Sequence, residues 1–403
     1  MEAFIARQPI FNRRKQVFAY ELLFRVGAEN TFVQTDGDLA TSSVISDSIL
    51  LFGIDTLTRG KKAFINFTRN LLLDDTATML PRDMLVIEIL ENIAPEKGII
   101  TACQKLKKMG YTLALDDFVF EEQYRPLVEL TDIIKVDFLL SNAAARREIL
   151  AIGKPYNIKF LAEKVETEQE FQEAANLGYS YFQGYFFCKP VILSTRDIPP
   201  GKLNYLNILH EVNHPELDFD KIETAIKRDV SISYKLLKFI NSAFFGFPRQ
   251  IHSIKQALLM LGIIEIRKWT SLIIMKGISE GNTEELMVTS VLRARICELI
   301  GQELGLRERS SDLFFLGLFS MIDTFFNRPM EELLKSLPLS EETNRALLGK
   351  EGLFHDILSL VKAYEQADWQ NVTRLCGKIR LDQLNLADFY VSSIEWSNNL
   401  IIP

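Results

Sequence analysis

Up to about residue 190 the chain alternates short apolar runs with amphipathic stretches of helical period. The runs are Phe4–Phe11, Gln16–Phe24, Ala63–Phe67, Met84–Leu90, Thr112–Leu115, Asp132–Val136, Ile158–Ala162 and Tyr179–Phe182. In Glu96–Met109, Ile99, Cys103 and Leu106 share one helical face, and Gly110 is placed to end the helix. Thr167 and Glu170 form a capping box ahead of Phe171 and Ala174, with Gly178 as the stop. Strands alternating with helices predict a parallel sheet, and about eight runs predict a TIM-like (β/α)8 barrel, small at ~190 residues.

The rhythm changes after Leu193–Leu203, where Pro199, Pro200 and Gly201 read as linker chemistry. Helical period then holds throughout: Ser253 with Gln256 caps a run carrying Leu258 and Leu261, and Asn282 precedes a long amphipathic stretch. The predicted organisation is α/β plus all-α: a barrel over 1–192, a linker over 193–203 and a helical bundle over 204–403.

A chain of 403 residues suits about two domains. A net charge of −7 argues against binding to nucleic-acid polymers or anionic membranes, which need a basic surface. The most apolar stretch, Ala257–Met275, is interrupted by Glu265, Arg267 and Lys268, so it reads as a core helix. The first residues lack the charged-then-apolar leader of a signal peptide. Cys103, Cys188, Cys297 and Cys376 are far apart and read as buried thiols of a cytoplasmic protein. His210, His214, His252 and His355 read as too scattered for a multi-histidine metal site.

In a barrel the chemistry sits at the C-terminal ends of the strands. Polar residues gather there: Glu21 and Arg25, Asn66, Glu88 and Glu91, Asp116 and Asp117, Lys135 and Asp137, Glu163 and Glu166, and Gln183. Carboxylates converging on one mouth raise one another's pKa unless cations sit among them. Oxygen-only ligands point to a hard ion, Mg²⁺ or Mn²⁺, and paired ions suit attack of water on a phosphodiester. Taken singly, each acid reads better as a helix cap or salt-bridge partner, Asp117 and Glu166 above all, and a lone strand lysine as an edge residue. The pattern alone also admits a lysine Schiff-base lyase and metal-assisted enolisation.

The segments ARQPIF, YELLFR, INF, IEILE, LALDDF, IKVD, AEKVET and QGYFFCKP, in this order, resemble the motifs of the EAL family of cyclic-di-GMP phosphodiesterases from about Ala6 to Pro190. The resemblance implies a two-metal site of Mg²⁺ or Mn²⁺ held by Glu21, Asn66, Glu88, Asp116, Asp117 and Glu163. It implies Lys135 near the attacking water, with Glu21 and Glu163 in the catalytic set. It places Gln8, Arg25 and Gln183 near the nucleotide and gives Glu91, Glu166 and Asp137 supporting roles. The implied reaction opens cyclic di-GMP to the linear dinucleotide.

Two departures stand out. The family's G-T-G-Y-S-S loop after D-D-F is replaced by Val119, Phe120, Glu121, Glu122, Gln123 and Tyr124, without glycine. Lys164 replaces the glycine of A-E-G-V-E, adding a cation that could weaken metal binding or touch a phosphate. The alternative to an enzyme is therefore a cyclic-di-GMP sensor that binds without cutting. Ile226–Gly262 resembles the HDOD module, a relative of metal-dependent HD phosphohydrolases without their metal site. Ser320 and Met321 stand where an HD pair would be, and Asn241, Ser242 and Phe244 read as turn and packing residues. This half is expected to hold no metal and to act through a protein partner, with homodimerisation left open.

Overall fold

The computed structural model describes residues 3–26, 53–74, 76–118, 120–184, 200–214, 219–242, 245–279, 284–326 and 328–400. The chain divides into two compact units, Met1–Phe187 with Ala363–Thr373, and Cys188–Lys362 with Arg374–Pro403. Phe244, Asn282, Cys188 and the expected linker residues 193–199 lie outside the described residues.

In the first unit eight strands close a barrel in sequence order. They are β1 Ala3–Asn12, β2 Val17–Val26, β3 Lys62–Phe67, β4 Leu85–Ile89, β5 Thr112–Leu115, β6 Ile133–Asp137, β7 Lys159–Glu163 and β8 Tyr181–Phe182. One strand departs from the all-parallel layout: β1 is antiparallel to both β2 and β8, while β2 through β8 are parallel. A parallel crossover needs a dozen residues or more. The turn after Asn12 is far shorter, and the Asn12 side chain pins it by accepting from the backbone N–H groups of Arg14 (2.9 Å) and Gln16 (3.1 Å).

The barrel's floor is apolar. Ile10, Ala19, Phe64, Val86, Ala114, Ile133, Leu161 and Tyr181 form one buried cluster to which every strand gives one residue. Outside it, the helix Lys97–Lys108 buries Ile99, Cys103 and Leu106. The helix Glu168–Leu177 starts at the Thr167–Glu170 capping box and ends at Gly178.

The second unit is helical among the described residues. Its first helix, Pro200–Asn213, begins inside the stretch read as linker, with proline at a position that suits a first turn. Helix Ile254–Ile278 starts at Ser253, whose hydroxyl accepts from Gln256 N, and is bent at Gly262. Two of its charged residues are used internally: Lys268 pairs with Glu298 of the helix Glu284–Glu303, and Arg267 donates to the His214 carbonyl at 2.6 Å. No helix among the described residues is long and apolar enough to cross a membrane. Cys103, Cys297 and Cys376 are buried. His210 and His214 are less scattered than their number suggests, since they are four residues apart with ring centroids at 6.0 Å.

Candidate functional site

Residues i and i+2 of a strand face the same side. Two positions past the apolar floor, toward the C-terminal ends of β2 to β8, stand Glu21, Asn66, Glu88, Asp116, Lys135, Glu163 and Gln183. On β1, which runs the other way, two positions back from Ile10 is Gln8, paired in register with Glu21. A polar layer therefore lies directly on the apolar one, again with one residue for each strand. Backbone hydrogen bonds carry the ladder into the two members just past their strands, from Asp116 N to Ile89 O (3.0 Å) and Gln183 N to Ala162 O (2.8 Å).

Lys135 is the centre of this layer and is 1% exposed. Its ammonium lies 2.7 Å from Asp116, 2.8 Å from Glu88, 2.9 Å from Glu163 and 3.6 Å from Glu21. It is not the edge residue that a lone strand lysine suggests. Gln183 donates to Glu21 at 2.7 Å and to Gln8 at 3.1 Å, and Asn66 donates to Glu21 at 3.4 Å.

Crowding in a dry site sets the protonation. Burial, with Asp116 and Glu21 adding to it and Lys135 opposing, pushes Glu163 up to about 8. Burial likewise holds Glu88 well above the usual carboxylate range, and raises Asp117 together with the charge of Asp116. Burial works against the charge of Lys135, but the surrounding carboxylates outweigh it and hold the ammonium well above its ordinary pKa.

The layer has acceptors left over. Asn66 Oδ1, Glu88 Oε2, Asp117 Oδ1 and Gln183 Oε1 are buried and accept no hydrogen bond, although burying such an atom unsatisfied is costly. Asp116, Asp117 and Glu163 can each offer an oxygen within 4.8 Å of the others, the one such ligand group among the described residues. An all-oxygen donor set with more carboxylates than cations fits a hard divalent cation.

The remaining predicted residues lie around this layer. Asp137 is buried; it accepts from the N–H groups of Leu139 (2.6 Å) and Leu140 (3.0 Å) and pairs with Lys164 at 2.5 Å. Glu91 and Glu166 are exposed on the loops after β4 and β7, outside the buried layer. Arg25 donates to the Trp369 carbonyl at 3.4 Å, with its guanidinium 5.7 Å from the Trp369 ring. Trp369 belongs to the barrel's compact unit although it is 344 residues away in sequence, so no local motif pointed to it.

The EAL domain model matches residues 2–190 and the HDOD domain model matches residues 198–351. The uncharacterized protein YuxH of Bacillus subtilis is 39% identical over 100% of this chain and 99% of its own length. The chain is an EAL–HDOD protein. The cyclic di-GMP phosphodiesterase CdgJ of Vibrio cholerae is 34% identical over 98% of the chain and 93% of its own length. Among solved structures, the MucR phosphodiesterase in complex with c-di-GMP covers 46% of the chain and 95% of its own, at 18% identity and a TM-score of 0.40.

In this EAL barrel the segment after Asp117 is built from rings. Phe118 meets Phe120 at 6.3 Å and Tyr124 at 6.0 Å, while Arg125 pairs with Glu122 at 2.6 Å and covers Phe120. Val119 lies outside the described residues, and Asp117 itself takes the left-handed conformation, at φ 41°. In the HDOD half, Ser320 accepts from Arg293 at 3.2 Å and Met321 is buried. Asn241 has the turn role expected of it: its amide bonds Ile251 N and O, both at 2.7 Å, closing the loop between two helices.

Proposed function

We propose that the barrel is a Mg²⁺- or Mn²⁺-dependent phosphodiesterase that hydrolyses cyclic di-GMP to the linear dinucleotide. The supporting observation is the polar layer, in which oxygen donors from successive strands converge with acceptors to spare. A 34% identical relative of matching length is named as a cyclic di-GMP phosphodiesterase.

Glu21, Asn66, Glu88, Asp116, Asp117 and Glu163 would hold the ions, which supply an activated water and stabilise charge on the phosphate oxygens. Gln183 and Asn66 orient the Glu21 carboxylate by donating to its two oxygens. Lys135, unable to turn away among its carboxylates, holds a positive charge where the attacking water is aligned and where negative charge develops. Gln8, Gln183 and Arg25 face the nucleotide. The helical half, 204–403, regulates the barrel through a protein partner.

A second reading is favoured by one observation, the glycine-free segment closed by Phe118, Phe120 and Tyr124. A stiffer segment there gives a barrel that binds cyclic di-GMP and relays occupancy without turnover. Chromatography of cyclic di-GMP incubated with the full chain and Mn²⁺, beside Glu21→Ala, separates the two. Linear product with the native chain alone supports the enzyme. Binding without product supports the sensor, and neither binding nor product overturns both.

A further inference from the structure

The residue after Glu163 at the end of β7 is Lys164, which adopts φ 53°, a region that side chains disfavour. Its ammonium lies 2.5 Å from Asp137 and 3.9 Å from Asp117 Oδ2. Asp137 is fixed by two backbone N–H groups, so the lysine is anchored on a carboxylate beside the polar layer and aimed at one next to it. Asp117 in turn belongs to the oxygen triad with Asp116 and Glu163, and its Oδ1 is buried without a donor. A lysine ammonium and a divalent cation thus have a claim on the same carboxylate, and strain is tolerated in the backbone that presents the lysine.

We propose that Lys164 is a built-in competitor for the cation position at Asp117, setting the divalent-ion concentration at which the barrel fills. This rests on the metal-dependent reading above and goes beyond it in assigning a residue that tunes the ion and holds none. Half of the Lys164 side chain is exposed, so solvent screens the repulsion and the lysine weakens the ion without excluding it.

The test is Mn²⁺ binding to the full chain without nucleotide, followed by the electron paramagnetic resonance of free Mn²⁺. Lys164→Gln is expected to bind ~10-fold tighter than the native chain, and Lys164→Arg, which keeps the charge, within about 2-fold of it. Lys164→Gly removes charge and backbone strain together; it should fold even where the glutamine variant does not, and tighten Mn²⁺ equally. Native affinity in the folded charge-removing variants overturns the proposal. So does a loss of cyclic di-GMP binding in EDTA with Mn²⁺ uptake unchanged, which would place Lys164 on a phosphate. No Mn²⁺ uptake by the native chain removes the metal-dependent reading, and the competitor with it.

Discussion

Lys135 and Glu88 meet at 2.8 Å inside the barrel, with the lysine side chain 1% and the glutamate 0% exposed. The pair joins β6 to β4 across the strand between them, and Asp116 and Glu163 approach the same ammonium. Taking away one partner of such a set strands the others in a dry site. Lys135→Met should therefore destabilise the metal-free protein by about 3–5 kcal/mol at neutral pH. Saturating Mn²⁺ should return much of that loss while turnover stays absent. Urea denaturation with and without Mn²⁺ reads both, and an unchanged midpoint in the metal-free variant would contradict the central place given to Lys135.

The acidity of Glu163 gives a pH dependence of definite sign. Burial moves it from 4.5 to about 8, so between those values the fold holds a proton that the unfolded chain has released. Stability of the metal-free protein from this group therefore falls as pH rises through that interval. The same proton competes with a cation, so Mn²⁺ affinity should climb over the interval and level off above it, with a proton released on binding within the interval and none above it. Calorimetric titration in buffers of different ionisation enthalpy measures the proton count. Affinity that stays flat over the interval, with no proton release, would remove Glu163 from the ligands.

Local pattern carried most of the barrel. Each of the eight apolar runs overlaps a strand, because a short, nearly continuous apolar run buried on both faces and flanked by turn residues is written within a few positions. The capping box at Thr167 was legible for the same reason. The polar layer was legible too, since in the runs of β2 to β8 a site residue stands two places after a floor residue, as in Phe64 and Asn66 or Ile133 and Lys135. The antiparallel direction of β1 departs from the strand–helix alternation, because the gap between Phe11 and Gln16 is too short for a parallel crossover. The central place of Lys135 depends on pairing with β5 and β7, which sequence spacing does not express. The contact between Arg25 and Trp369 joins residues 344 apart.

That contact offers a test of the nucleotide-facing role proposed for Arg25. Trp369 restrains Arg25 by its carbonyl and its ring, and also packs on Phe4 at 6.2 Å. Without the ring, Arg25 keeps its charge and the bond to the backbone carbonyl and loses the ring contact. A cation–π contact at a part-exposed site contributes ~0.5–1 kcal/mol, so Trp369→Ala should weaken cyclic di-GMP binding about 2- to 5-fold. Titration in Ca²⁺ or EDTA, where turnover does not interfere, reads the change. Equal affinity would mean that Arg25 is oriented by other groups or lies away from the nucleotide.

Gly184 gives the most local test of how the site is held. It follows Gln183 at φ 151°, and a Cβ there would stand 2.2 Å from the carbonyl oxygen of Val165 and 2.4 Å from its nitrogen. Those are backbone atoms, and Val165 N already donates to Gln183 O at 3.0 Å, so no side chain can turn aside to make room. Gly184→Ala must push Gln183 away from Glu21 or displace the loop that carries Lys164. Either movement disturbs the polar layer, and the strained φ adds its own penalty. We expect a loss of roughly 1–3 kcal/mol in stability, together with weaker binding of both Mn²⁺ and cyclic di-GMP. Gly98→Ala is the control: it lies in the helix Lys97–Lys108, and its Cβ would meet only Leu73 at 3.5 Å. That change should leave binding untouched and raise stability by about 0.4–1 kcal/mol. If both variants bound alike, the approach of Gly184 to Val165 would not be what positions Gln183.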